Sequence, residues 1–324
     1  MIRIYRRTDG TWRSEEWEAG GRLPQPAWVD MVVPTPEEMA AVQRQLSIEI
    51  PTRAEMQEIE ASSRFYQENS TYFMTATIVT GPDLADMESS AITFILSSDH
   101  LVTVRYATPR SFEAFAARIQ KPGTLPSSPP EILIALLEAM IDRIADVLEH
   151  HSAEVDRISR MIFSVGEGKR RPRVDLQRTI RVIGNEGNHF SALRESIVSL
   201  SRMVLYFNQA VAQHAKAGQL RETLMEVSRD LASLADHASF MANKITFLLD
   251  ATLGMISIQQ NQIIKLFSVA AVVFLPPTLI ASIYGMNFKN LPELAWELGY
   301  PMALGLMVVS AVLPFLYFKR KGWL

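Results

Sequence analysis

Residues 266–288, LFSVAAVVFLPPTLIASIYGMNF, and residues 298–318, LGYPMALGLMVVSAVLPFLYF, decide the fold. Neither stretch carries Asp, Glu, Lys or Arg. At ~1.5 Å per residue the first is roughly 34 Å long as a helix, against a hydrocarbon core of ~30 Å, and the second is also long enough to cross. The competing reading is a pair of buried core helices, but two such runs at the C-terminal end leave little chain to bury them. The first run closes on a polar tripeptide, Gly285-Met286-Asn287. An Asn at the mouth of an apolar hairpin marks a place where something hydrated meets the membrane, and so an ion pathway.

Flanking charge gives an orientation. Lys265 opens the first run and Lys319-Arg320-Lys321 close the second, while the loop between holds Lys289, Glu293 and Glu297. The positive-inside bias then puts both termini in the cytoplasm and the loop outside. Pro276-Pro277 would kink a soluble helix. A membrane helix tolerates the pair where neighbours satisfy the freed carbonyls, which fits a helix lining a cavity.

Upstream of the first span, apolar residues step 4-3-4-3 through Leu220, Leu224, Val227, Leu231, Leu234, Ala238, Met241, Ile245 and Leu248. This is a heptad-like seam, and with no breaker before Pro276 one helix is expected from Gln219 into the membrane. At ~100° per residue Asp250 lies roughly opposite the seam, and Asn261, Ile264, Ser268, Ala271, Leu275, Thr278 and Ser282 fall within about 80–100° of its direction. One reading makes Asp250 a solvated stalk carboxylate and bonds Thr278 and Ser282 back to their own helix. The other has several copies of the helix around an axis, stacking polar rings between apolar constrictions. A two-span chain cannot enclose a water-filled path alone, so conduction requires a homo-oligomer. The seam supplies a surface for other elements or for neighbouring subunits.

Composition bounds the rest. The chain has 324 residues, a formal net charge of −3 and no cysteine. The charge argues against a nucleic-acid partner, and the missing thiols exclude disulfides, Cys-ligated zinc, Fe–S clusters and thiol catalysis. The mean hydropathy of +0.07 is high for a soluble protein, but the apolar excess gathers at the C-terminal end. The opening MIRIYRRTDGTWRSEEW lacks a signal-peptide core, so the front of the chain is expected in the cytosol and the sequon at Asn69 has no glycosylation role.

Residues 1–125 read as a cytosolic α/β domain, with strands at Ile2–Tyr5, Ala27–Val33, Tyr72–Val79 and Ile92–Tyr106, and a helix near Pro36–Leu46. The last strand is broken at Ser97-Ser98-Asp99-His100 by a hairpin turn. Pro122–Pro130 reads as a linker. Residues 126–215 read as a helical hairpin, with helices over Glu131–Phe163 and Val174–Phe207. Gly166-Glu167-Gly168-Lys169 joins them and lacks the spacing of a P-loop. The stalk then occupies 216–263, the first span 264–287, the extracytoplasmic loop 288–298, the second span 299–318 and a basic cytosolic tail 319–324. Helix 131–163 is acidic, which reads as a solvated face, or else as an ion-attracting surface. His150 and His151 point ~100° apart, cannot share one ion, and are taken as surface residues. No Ser/His/Asp grouping, Rossmann loop or HExxH motif supports an enzyme.

The C-terminal part resembles the CorA family of magnesium channels. The resemblance rests on Tyr284-Gly285-Met286-Asn287-Phe288, Pro292-Glu293-Leu294, Trp296, Gly299-Tyr300-Pro301 and the ending Tyr317-Phe318-Lys319-Arg320-Lys321-Gly322-Trp323-Leu324. It implies an α+β cytosolic domain built as an α/β/α funnel, a long stalk helix, a two-helix transmembrane hairpin and a homopentamer in the cell (inner) membrane. By that resemblance Gly285, Met286 and Asn287 form the selectivity filter, with Asn287 as the outer ring. Ser282 and Thr278 line the upper pore, and Leu275, Phe267 and Ile264 form apolar constrictions. Ala271 also lines the pore, and Asn261 and Asp250 form polar rings at the cytosolic end. Phe267 sits at the edge of the helical stripe.

The resemblance further implies sensing of cytosolic Mg2+ by carboxylates bridging subunits: Glu226 on the stalk, partnered from the group Asp83, Asp86 and Glu88. Glu293 and Glu297 would concentrate cations at the loop, while Lys289 departs from an acidic loop and weakens that attraction. The expected activity is passive, potential-driven Mg2+ influx, with Co2+ as a second cargo and Ni2+ as a third candidate, and with no cofactor beyond Mg2+ itself. A zinc transporter of the same superfamily and a membrane-anchored coiled-coil scaffold are the alternatives.

Overall fold

The alternating segments at the front of the chain form β1 (Ile2–Thr8), β2 (Thr11–Glu16), β3 (Ala27–Val32), β4 (Phe65–Glu68), β5 (Thr71–Thr80), β6 (Glu88–Leu96) and β7 (His100–Arg105) in the computed structural model. It describes residues 1–8, 11–18, 21–81, 87–121, 126–163, 175–211, 217–287, 292 and 296–323. The strands make one sheet of order β2-β1-β3-β7-β6-β5-β4, antiparallel throughout except for the parallel pair β3–β7.

Period-two alternation gives the sheet two faces. Ile2, Ile4, Val29, Met31, Phe73, Ile95, Val102 and Val104 share one core with Ala41 and Val42 of α1 (Pro36–Leu46). Thr35 starts α1 with a capping box closed by Glu38. On the opposite face Tyr5 stacks on Trp28 at 4.3 Å, and Trp28 meets Phe112 and Phe115 of α3 (Arg110–Ile119). A short helix, α2 (Ala61–Arg64), precedes β4. Helices on both faces of a mixed sheet make the α/β/α architecture expected from the resemblance.

The parallel pair is tied by a buried polar chain. Arg105 pairs with Asp30 through both carboxylate oxygens at 2.8–2.9 Å, Thr103 donates to Asp30 at 2.8 Å, and the Trp28 indole donates to Thr103 at 2.9 Å. Parallel strands need distant segments to find one another, and this chain of donors fixes their register.

Three helical segments complete the first unit: α4 (Pro129–Phe163), α5 (Leu176–Val211) and the opening of α6 (Ala217–Tyr284). Ser196 and Ser199 of α5 donate to no neighbour in their own turn; their hydroxyl oxygens accept from the Val79 and Thr77 amides of β5, at 3.2 and 2.8 Å. The heptad seam is buried as its spacing requires: Leu220, Leu224, Val227, Leu231, Ala238, Met241, Ile245 and Leu248 are all under 9% exposed, with Leu234 partly so. Ile245 of the seam faces α5, where a Cβ on Gly187 would lie 3.7 Å from it, and beside the seam Phe247 stacks on Phe163 at 5.8 Å and His237 meets Ser152 at 3.1 Å.

Two compact units divide at Leu248 and Leu249. The second, Leu249–Leu324, holds the rest of α6 and α7 (Gly299–Arg320). Only 6% of each apolar window is buried, which removes the reading of these helices as core. Lys265 lies 5.7 Å from the Trp323 ring, so the start of the apolar run in α6 and the exit of α7 stand at the same end of the hairpin.

Several boundaries differ from the sequence reading. The N-terminal strand is a hairpin, with Thr8 opposite Thr11, and Asp9-Gly10 between them is the turn signal that identifies it. Short β4 was also missed. The expected linker Pro122–Pro130 overlaps α4, because Pro129 and Pro130 open that helix and are buried; proline at a helix start loses no helical hydrogen bond. Helix α5 extends past Phe207 to Val211. Val33 lies outside β3 with a φ of 44°. Residues 166–169, together with Asp83, Asp86, Lys289 and Glu293, lie outside the described residues.

Candidate ion pathway and carboxylate cluster

Helix α6 runs unbroken through Pro276-Pro277. Neither proline has an N–H, so the carbonyls of Val272 and Val273, four residues earlier, lose their helical donors. Thr278 donates its hydroxyl to the Phe274 carbonyl at 2.7 Å. This is the back-bonded geometry anticipated for a membrane hydroxyl, and it still leaves the Thr oxygen able to accept.

Asp250, Asn261, Ile264, Phe267, Ser268, Ala271, Leu275, Thr278 and Ser282 are all exposed on α6, as are Gly285, Met286 and Asn287 beyond it. The structure therefore leaves the whole stripe available to other copies or to solvent. Exposure of Ile264, Phe267 and Leu275 at 61%, 68% and 65% is unusual enough to demand a covering environment.

The helix ends at the tripeptide. Gly285 donates to the Ala281 carbonyl at 2.9 Å and Met286 to the Ile283 carbonyl at 3.3 Å, so the last turn points its remaining carbonyls toward Asn287. A helix C-terminus carries roughly half a negative charge, which favours a cation there. Space is tight at Gly285: a Cβ would sit 3.0 Å from the Ala281 oxygen, the atom that accepts the Gly285 amide, so that carbonyl would have to give by a few tenths of an ångström. Gly285→Ala should push the Ala281 carbonyl aside and disturb the last turn before Asn287. Ion uptake is then expected to fall by at least about fivefold, measured in proteoliposomes at matched protein density.

Of the carboxylates expected to sense Mg2+, Glu226 is exposed on α6 and Glu88 is exposed at the start of β6. Within the chain Glu226 also acts on Glu138 of α4, as does Asp142 on the same helix. Burial raises the Glu138 carboxyl above its usual 4.5; Arg118 opposes this, and Asp142 and Glu226 reinforce it. A carboxyl with a raised folded pKa holds more proton folded than unfolded, so stability is present at low pH and falls as pH rises through the window above 4.5. Glu138→Gln should accordingly raise the melting temperature at pH 7, with the difference shrinking as pH approaches 4.5. A constant difference across that range would reject the raised Glu138 carboxyl.

The acidic α4 is otherwise an amphipathic helix whose apolar side, from Ile132 to Ile162, is buried. One correction concerns the histidine pair. His150 is exposed as expected, but His151 is only 3% exposed and bonds Glu186 of α5 at 2.8 Å. The ~100° between neighbours on a helix separates the rings, and it also turns one of them into the core.

An α/β/α unit, a stalk with its seam buried, and two exposed membrane-length helices with Gly-Met-Asn at the end of the first define a two-span membrane protein of the transporter class. The sequence matches the CorA-like Mg2+ transporter protein family over residues 25–320, and the chain belongs to that family. It is 33% identical over 297 residues to the magnesium transport protein CorA of Pasteurella multocida (strain Pm70), covering 92% of each chain. Its fold is similar to the complete structure of the CorA magnesium transporter from Methanocaldococcus jannaschii, with a TM-score of 0.78 at 16% identity, covering 100% of this chain and 99% of that one. The ZntB cytoplasmic domain from Vibrio parahaemolyticus RIMD 2210633 covers 79% of this chain at a TM-score of 0.58 and 9% identity, a likeness of fold alone; the chain covers 97% of that domain.

Proposed function

We propose that five copies of this chain form a passive channel for Mg2+ influx, driven by the membrane potential, with Co2+ as a second cargo and Ni2+ as a third candidate. Both termini lie in the cytoplasm and α6 lines the pore. The observation that carries this reading is the exposed stripe on α6, in which polar Asp250, Asn261, Ser268, Thr278 and Ser282 alternate with apolar residues on the way to Asn287. A scaffold helix needs no such register. Lys265 beside Trp323, with the basic tail at the same end, supports the cytoplasmic placement.

The chemistry suits Mg2+, which sheds water reluctantly and prefers oxygen partners. A ring of Asn amide oxygens accepts hydrogen bonds from the ion's hydration shell without replacing it. Neutral amides attract the cation yet release it, where a ring of carboxylates would hold it. In the loop, Glu293 and Glu297 against Lys289 leave a charge of −1 per subunit to raise the local cation concentration.

Cytosolic Mg2+ closes the channel in this proposal by bridging Glu226 to a carboxylate of the neighbouring subunit, from Asp83, Asp86 or Glu88. Bound Mg2+ screens repulsion between subunits and favours the closed state, and its loss lets the stalks splay and the apolar constrictions widen. Glu226→Ala is expected to shift the closing Mg2+ concentration upward, by roughly fivefold or more. An unchanged closing concentration would remove Glu226 from the site.

Flux of Mg2+, Co2+ and Zn2+ into liposomes carrying the purified chain, under an inward-directed potential, tests the whole reading. Mg2+ entry is expected, and its absence rejects the proposal. Zinc flux coupled to a proton gradient would select the zinc-transporter alternative, and no flux of any ion the scaffold.

A further inference from the structure

His151 of α4 meets Glu186 and His189 of α5 inside the first unit. The Nδ1 of His151 lies 2.8 Å from Glu186 Oε2, and the Nδ1 of His189 lies 3.9 Å from the same oxygen. The two imidazole rings are 4.5 Å apart, centroid to centroid, and one ligand atom from each of the three residues lies within 4.8 Å of the others. His151 and Glu186 are buried at 3% and 6% exposure, and the His189 side chain at 19% is largely covered.

A hydrogen bond between His151 and Glu186 accounts for one of these contacts. It does not account for a second imidazole brought to the same carboxylate oxygen. Glu186 and His189 sit three residues apart, the spacing that puts two side chains on one helix face. Glu-x-x-His is also the spacing by which helical bundles present a carboxylate and an imidazole together to an interior metal ion. Around a tetrahedral Zn2+ with bonds of ~2.0–2.1 Å, ligand atoms stand roughly 3.3–3.4 Å apart. The two separations that include Glu186, 2.8 and 3.9 Å, bracket that value, and with all three atoms within 4.8 Å of one another side-chain rotation is what gathers the set onto an ion.

We propose that His151, Glu186 and His189 form an interior binding site for a first-row divalent ion of the Zn2+ class, clipping α4 to α5. Two nitrogen ligands and one carboxylate suit Zn2+, Co2+ or Ni2+ and disfavour Mg2+, which selects oxygen in octahedral geometry. Three protein ligands leave a fourth position for water. The platform so fixed bears the stalk: a Cβ on Gly187, next to Glu186, would lie 3.7 Å from Ile245, and Ser152, next to His151, meets His237. The site shares no residue with the α6 stripe and is independent of the transport reading.

The 324-residue chain in detergent, held in excess Mg2+ to occupy oxygen sites, is titrated with Zn2+ against a chromogenic chelator, and separately with Co2+ while visible absorption is recorded. One tight Zn2+ per chain is expected, with an intense tetrahedral Co2+ spectrum that Zn2+ abolishes. His189→Gln and Glu186→Gln should each weaken Zn2+ binding at least about 10–100-fold, the loss typical even of outer-shell partners, whereas His150→Gln should leave it unchanged. Zn2+ should raise the melting temperature of the intact chain and not of His189→Gln. If a variant misfolds, the Co2+ spectrum of the intact chain decides. No stoichiometric binding, an octahedral Co2+ spectrum, unaltered affinity in His189→Gln, or a loss in His150→Gln overturns the site.

Discussion

Asn287→Ala is expected to reduce Mg2+ entry into proteoliposomes by about a hundredfold or more. In the proposed pentamer the change deletes an amide from every subunit at once. Each amide hydrogen bond is worth roughly 0.5–1.5 kcal/mol, so the ring loses about 2.5–7.5 kcal/mol of interaction with the hydrated ion. Since ~1.4 kcal/mol is tenfold, that range covers about two to five orders of magnitude in entrance occupancy. Asn287→Asp separates attraction from release: five carboxylates should bind the ion more tightly and still pass it more slowly. The readout is flux against external Mg2+ concentration, with the Asp variant saturating at lower concentration and lower maximal rate. Unaltered flux in Asn287→Ala would exclude this position as the entrance ring.

Asp30→Ala is expected to be the most destabilising single change in the α/β/α unit. Asp30 is 2% exposed and Arg105 is 5% exposed. Removing the carboxylate leaves the guanidinium buried without its charge partner, along with the Thr103 hydroxyl that donates to it. Breaking such a pair typically costs about 3–5 kcal/mol. At roughly 2–4 °C per kcal/mol for a unit of this size, the melting temperature should fall by about 6–20 °C. Trp28, hydrogen-bonded to Thr103 and stacked on Tyr5, reports the transition by its fluorescence. A double variant that replaces both charges by apolar residues should recover much of the loss, because the penalty comes from the unpaired charge rather than from the pair's own attraction.

What could be read before the structure was what repeats along one element. The two spans follow from length and apolarity, the seam from a seven-residue period, and the α6 stripe from ~100° per residue. None of these needs knowledge of a distant residue. The N-terminal hairpin also carries a local signal, Asp9-Gly10 following the strand that opens at Ile2. Short β4 has no comparable signal: four residues carry too little period to separate strand from loop.

Features built from distant segments were not legible. Asp30 and Arg105 are two ordinary charges until the parallel pairing of β3 with β7 buries both. His151 reads as half of a surface pair because its near carboxylates in sequence are Glu149 and Glu154, while its partner in the fold is Glu186. The same holds for Glu226, which acts on Glu138 of α4 across the fold.

The sequence by itself determined that this chain has a membrane hairpin, a stalk with one apolar seam, and a polar stripe leading to Gly285-Met286-Asn287. Side-chain direction along a single helix or strand is set by local backbone geometry, which a linear pattern encodes completely. Only the tertiary structure decided the strand order, the burial of Asp30 with Arg105, and the meeting of His151 with Glu186 and His189. Those depend on which apolar faces dock together, and docking turns local direction into neighbourhood.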